Sequence, residues 1–242
     1  MNGRDRTRHT DTSTPGRLIL ALAGYVMVAA LTGCPCAYNP VIDPSDFVAS
    51  ITNPLLPLVP GTTFVYEAIT PEGLQRIEVA VTQDTKEILG VTCTVVRDSV
   101  TLDGQLIEDT LDWYAQDSAG SVWYFGEDSK SYEGGVVVST EGSWEAGVDD
   151  AKPGIVMEAD PQVGDTYRQE YLRGVAEDMA KVAGLGETAV VPYDSFDDCL
   201  KTKEYTRLDP GVIEYKFYAP GVGQVLTLEG DVREELVSVS VS

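Results

Sequence analysis

From Gly61 onward the chain is cut into strand-length runs by closely spaced turn signals, and this rhythm constrains its fold more than any other feature. Residues 62–69 are rich in β-branched and aromatic side chains, and Pro71-Glu72-Gly73 turns them back. Residues 76–82 then alternate, with Ile77, Val79 and Val81 on one face and Arg76, Glu78 and Ala80 on the other. Residues 91–102 form the next strand. Asp103-Gly104, the strongest short hairpin signal in the chain, returns it into residues 106–116. Further runs at 130–133, 136–140, 165–171, 187–192, 198–206, 213–219 and 224–229 are separated by Gly134-Gly135, Asp194-Ser195, Asp209-Pro210-Gly211 and Pro220-Gly221. The closing Ser/Val alternation reads as an edge strand or a frayed tail. Residues 175–183 fit a short helix as well as a strand, since Val175, Met179 and Val182 sit at helical spacing. The expectation is an all-β, mainly antiparallel fold, a strongly curled sheet or partly open barrel with at most one short helix.

Within this rhythm, residues 110–144 hold all three tryptophans, Trp113, Trp123 and Trp144, with Tyr114, Tyr124 and Phe125 beside them. Two strand-like segments flank the polar turn Asp117-Ser118-Ala119-Gly120. Alternation places Leu111, Trp113 and Ala115 on one face and Asp112 and Tyr114 on the other. Residues 122–125 are apolar on both faces, so they are covered on both sides or one side lines a cavity. These six aromatic residues are the candidates for a ligand-lining wall, weighed against a purely structural role.

Charge and residue usage remove several classes of function. The formal charge is −22, and without the four arginines and two aspartates of residues 1–33 it becomes −24. Phosphate binding depends on clustered Lys and Arg, so nucleic acid is not an expected partner. The only histidine is His9. A chain lacking it has no His-based general base and no His-ligated transition metal. No cofactor motif and no spaced calcium loop is present. Asp194, Asp197 and Asp198, and Asp149-Asp150 with Glu145, read as turn chemistry rather than a metal site.

The N-terminal segment carries an address. Arg4, Arg6, Arg8 and Arg17 precede an apolar run over residues 18–31, which has the length of a signal h-region rather than of a membrane span. The run ends in Leu31-Thr32-Gly33-Cys34, which resembles the lipobox of bacterial lipoproteins. That resemblance implies cleavage before Cys34, a lipid anchor on its thiol, and a location in the cell envelope outside the cytoplasm. Residues 34–52 then read as a proline-rich, extended tether, and residues 53–242 as one β-rich domain. Leu55, Leu56, Leu58 and Val59 are expected to cover one end of it.

A wider resemblance lies in Pro57-Leu58-Val59-Pro60-Gly61, in Asp112-Trp113-Tyr114 through Gly142-Ser143-Trp144, in Val191-Pro192-Tyr193 and in Tyr218-Ala219-Pro220-Gly221. These are similar to uncharacterised bacterial secreted or lipoprotein β-rich domains, and the similarity implies an exported β fold without assigning an activity.

Two constellations remain. An oxidising compartment would favour pairing of Cys93 with Cys199, against the alternative of two buried free thiols. Cys36 has no evident role. Glu108 and Asp112 fall on one strand face near aromatic rings, the minimal pattern for carboxylate-dependent glycoside hydrolysis. The expected function is a lipid-anchored, non-catalytic binding or structural module whose ligand or protein partner the sequence does not identify. The alternatives are a polysaccharide hydrolase and a carrier of a lipophilic ligand in a half-barrel cavity.

Overall fold

A computed structural model of the protein describes residues 38–242. The signal segment, Cys34 and Cys36 lie outside the described residues. The elements are β1 (Phe47–Val48), β2 (Thr62–Thr70), β3 (Gly73–Ile88), β4 (Val91–Leu102), β5 (Gln105–Asp117), β6 (Val122–Glu133), β7 (Val136–Ser139), β8 (Trp144–Glu145), β9 (Lys152–Met157), β10 (Thr166–Arg168), β11 (Glu170–Tyr171), β12 (Asp178–Val190), β13 (Ser195–Thr206), β14 (Ile213–Ala219), β15 (Gly223–Glu229) and β16 (Val232–Val241). Thirteen of them follow one antiparallel path, β10-β12-β13-β14-β15-β16-β2-β3-β4-β5-β6-β9-β11, with β1 beside β5 and β7 and β8 beside β6. The sheet curls into a nearly closed barrel with one seam.

Two junctions make that curl possible. At the first, the Ser/Val tail is not an edge: β16 pairs along β2, from Glu234 opposite Ala68 to Val241 opposite Thr62. The second is the seam. β10 and β11 are halves of one strand broken at Gln169; the first pairs with β12 and the second with β9. One short strand therefore touches both ends of the sheet. Gly154 of β9 crosses against the break, where a Cβ would collide with the Arg168 and Gln169 carbonyls, so only glycine allows the approach.

The helical alternative for residues 175–183 is replaced by strand β12. Ala180 and Val182 are fully buried at period two, while Val175 lies outside the strand and is exposed. Pairing with β13 overrode a helical spacing that rested on Val175. Among the described residues the one helical piece is a 3₁₀ turn at Pro44–Asp46.

The chain before β2 departs from the expected extended tether. The Tyr38 hydroxyl donates to the Pro153 carbonyl at 2.8 Å, and its ring meets Tyr171 edge-on. Ile42 and Phe47 pack on the barrel wall, and β1 pairs with the end of β5. Gln116 Oε1 accepts the backbone N–H groups of Thr52 and Asn53 at 2.7 and 2.8 Å. Residues 38–52 thus form a strap docked on the barrel, because their apolar side chains and backbone donors find partners there. Beyond it, Leu58 is buried, and Leu55 and Leu56 pack on the main core and plug one end; Val59 points outward and is exposed.

There are two cores. The larger fills the barrel and includes Ile77, Val96, Val100, Leu200, Val225 and Leu236. The smaller gathers Val91, Cys93, Val95, Trp113, Ala115 and Phe125 on the other face of β4–β6, beneath the strap and the 146–151 loop.

Candidate functional site

The barrel interior is not uniformly apolar. Two cavities of about 220 and 390 Å³ lie inside it, sharing Asp98, Asp112, Tyr114, Glu214 and Lys216 at their junction. The smaller adjoins the plug and is walled by Leu56, Leu58, Phe64, Ile77, Val79, Val96 and Tyr218. The larger is walled by Glu108, Thr110, Tyr124, Glu127, Glu170, Asp178 and Glu204, and is bordered by Gly142, Val175, Leu208 and Val212. Together their walls hold nine carboxyl side chains (Asp98, Glu108, Asp112, Glu127, Glu170, Asp178, Glu204, Glu214 and Glu234) and one cation, Lys216. The lumen has a mixed wall at the plug end, where Leu56, Leu58, Phe64 and Ile77 face Gln169, Gln224 and Glu234, and is strongly acidic at the other.

Strand period explains how these side chains come together. On β5, Glu108, Thr110, Asp112 and Tyr114 follow one another at every second position; on β14, Glu214, Lys216 and Tyr218 do the same. Asp112 stands directly opposite Glu127 across β5 and β6. The Tyr124 hydroxyl donates to Asp112 at 2.6 Å and is also hydrogen-bonded to Glu127. The Tyr114 and Tyr124 rings stack with centroids 4.8 Å apart. On the facing wall Glu204 accepts from Lys216 at 2.9 Å, Thr202 at 2.8 Å and Tyr218 at 3.1 Å, and Lys216 also lies 3.3 Å from Glu214. Glu170, on the seam strand, accepts the Trp144 indole N–H at 3.0 Å.

So many carboxyl groups in a low-dielectric space cannot all ionise as they would in water. Burial, then the Asp112 and Glu170 charges, holds Glu127 well above the usual carboxylate range. Burial and Asp178 push Glu170 up to about 8, and burial raises Asp178 too. Burial alone would lower Lys216, but Glu204 and Glu214 hold its ammonium well above the usual lysine range. Among the described residues no three His, Cys, Asp or Glu side chains are arranged to hold a metal ion.

The six aromatic candidates separate by face. Tyr114 and Tyr124 line the lumen. Trp113, Trp123 and Phe125 pack in the smaller core on the other face of the wall, while Trp144, opposite Glu127, packs edge-on against Tyr124 and donates to Glu170 at the border of the lumen. A bulge at Phe125 of β6, opposite the Trp113–Tyr114 step of β5, lets the wall bend there. Trp113 carries the Lys86 ammonium 3.3 Å from its ring centre. Trp123 donates to Asp117 Oδ2, whose other oxygen accepts the backbone N–H groups of Ala119, Gly120 and Ser121. The Asp117 turn is thereby fixed by its own hairpin.

The expected Cys93–Cys199 bridge is absent. Both are buried free thiols, Cys93 in the smaller core and Cys199 in the larger, with the sheet between them. Burial pushes the Cys93 thiol up to about 12. Glu108 and Asp112 do share the lumen face, four strand steps apart, about 13 Å along the backbone. Asp149, Asp150 and Asp198 have left-handed backbone angles, consistent with turn and bulge roles.

Lys216, Glu127, Glu170, Asp178, Glu204 and Glu214 were not singled out from sequence. The available signal was polar residues at every second position of a strand, the pattern that ordinarily marks a solvent face.

No protein-family model matches the chain, and no curated protein matches it. Among solved structures, one from Parabacteroides distasonis, described as "a putative lipoprotein", is similar at 13% identity with a TM-score of 0.41. The similarity covers 77% of this chain and 98% of that one.

Proposed function

We propose that this is a lipid-anchored binding module of the cell envelope, outside the cytoplasm, that takes a small amphiphilic organic cation into the barrel lumen. The observation that carries the reading is the ratio of nine carboxyl groups to one ammonium on the walls of two joined cavities. Even with Glu127 and Glu170 protonated, such a lumen repels anions and favours a positive headgroup. The apolar side chains Leu56, Leu58, Phe64 and Ile77 on the wall beside the plug support an apolar portion on the same ligand, and the combined space is in the range of small-molecule sites. The Tyr114–Tyr124 stack adds π faces beside the carboxylates, which suits a substituted ammonium. Because the carboxyl groups line the walls rather than converge on one point, an extended organic cation fits better than a single metal ion. Anchoring rests on the Leu31–Cys34 lipobox. Catalysis is not part of the proposal.

The test is a pair of probes with the same tail and opposite heads, octyltrimethylammonium and octyl sulfate, compared by isothermal titration below their micelle concentrations. Tighter binding of the cation supports the reading. Equal binding, or preference for the sulfate, would refute it.

A further inference from the structure

We propose that the barrel is held in contact with the membrane that carries Cys34, with its strap face turned to the lipid headgroups. The inference rests on the reading of Cys34 as the acylated residue. It then follows from where the docked chain begins. Tyr38 is fixed to the seam by its hydrogen bond to Pro153, its edge contact with Tyr171 and the Arg168 guanidinium 5.4 Å from its ring centre. Arg168 lies 4.6 Å from the Tyr171 ring as well, so one cation is shared by the two rings.

Only Pro35, Cys36 and Ala37 separate this fixed point from Cys34. Four peptide steps span at most about 14 Å. With the acyl chains in the hydrocarbon, the headgroup layer takes up about 5–8 Å of that reach. The remainder is below about 10 Å, roughly two inter-strand spacings. A free tether running to residue 52 would have reached several times further; docking of the strap removes that freedom. A barrel of this breadth cannot lift its wall clear of the surface on so short a lead.

The face presented is the one the strap crosses. Val41, near the start of the strap, is 89% exposed. The β3–β4 turn joins the same face: Gly90 sits against Pro44, and the Leu89 side chain lies over Gly147, next to Val148. Leu89 and Val148 are both about half exposed. These apolar residues are interspersed with Asp43, Asp46, Asp149 and Asp150, so the face suits zwitterionic headgroups and is repelled by anionic ones.

The experiment uses the full-length acylated protein with Cys36→Ser, reconstituted in phosphatidylcholine vesicles containing a headgroup-nitroxide lipid. A fluorophore is placed at Val148→Cys or, as the control, at Ile69→Cys; the β2–β3 and β3–β4 turns lie at opposite ends of β3. Intact mass first establishes the acyl group on Cys34, and a protein lacking it refutes the anchoring reading separately. On acylated protein, quenching at residue 148 is expected to exceed that at 69 several-fold. The excess should shrink when anionic lipid is added, and when twenty Gly/Ser residues are inserted between Cys36 and Ala37. Equal quenching at the two positions, or an excess unaltered by the insertion, would overturn the proposal.

Discussion

Asp112 and Glu127 face each other across neighbouring strands, and the Tyr124 hydroxyl, 2.6 Å from Asp112, holds both. Two carboxyl groups so placed share a space in which one favours the proton and the other the charge. The same tension runs through the lumen, and it makes stability and binding respond to pH in opposite directions.

The stability response follows from Glu170 and its neighbours. Their folded pKa values lie above the unfolded ones, so their contribution is fully present below about pH 4.5 and is lost as pH rises through about 8. The melting temperature is therefore expected to fall by several degrees between pH 5.5 and 8.5, as read by circular dichroism. Glu170→Gln should flatten that slope. A profile unchanged by the substitution would remove Glu170 as its source.

Lys216 is the one ammonium on the lumen wall, and its side chain keeps only 25% of its exposure. Lys216→Met leaves Glu204 and Glu214 without their cation, at a cost of about 2–4 kcal/mol at pH 8, somewhat below that of a fully buried pair. The cost should shrink at pH 5. Binding of an alkylammonium probe should tighten, because one like charge has gone. Chemical denaturation and titration on the same variant check both.

At the seam, Gly154→Ala brings a methyl group against the Arg168 and Gln169 carbonyls. Overpacking of this kind costs about 1–3 kcal/mol. The loss should appear as faster hydrogen exchange confined first to β9–β11, since these strands close the sheet. Uniform acceleration across the barrel would contradict the seam assignment.

Much of the fold was legible in the sequence because turns were marked by residues that do little else. Gly134-Gly135 and Asp103-Gly104 fall between strands as expected, and residues 213–219 are a strand with those bounds. The rest was hidden by a reversal of faces. On β5 the polar side chains Glu108, Thr110 and Asp112 are the inward ones, while Trp113 and Ala115 face outward into a second core. Period two locates two faces; which one is inside depends on what covers the other, here a strap and a loop far away in sequence. The same remoteness conceals the thiols. Cys93 and Cys199 each look like strand cysteines, and only the three-dimensional wall shows them to be separated.

Those thiols give a simple chemical check. In a Cys34- and Cys36-free domain, Cys93 and Cys199 should react with a thiol reagent only after unfolding, at two equivalents, since both are buried and both are held protonated. No reaction after unfolding without reductant would mean that they are bridged.

The most direct measurement is the dissociation constant of octyltrimethylammonium for the native protein, for Asp112→Asn and for Asp109→Asn at pH 8. Asp112 lines both cavities, and asparagine can still accept the Tyr124 hydroxyl, so the substitution removes charge with little change of shape. Asp109 pairs with Arg97 outside the lumen and serves as the control. The lumen account predicts that Asp112→Asn weakens the cation about tenfold, roughly 1.4 kcal/mol, while Asp109→Asn leaves it unchanged. Equal effects of the two substitutions, or none from Asp112→Asn, would contradict it.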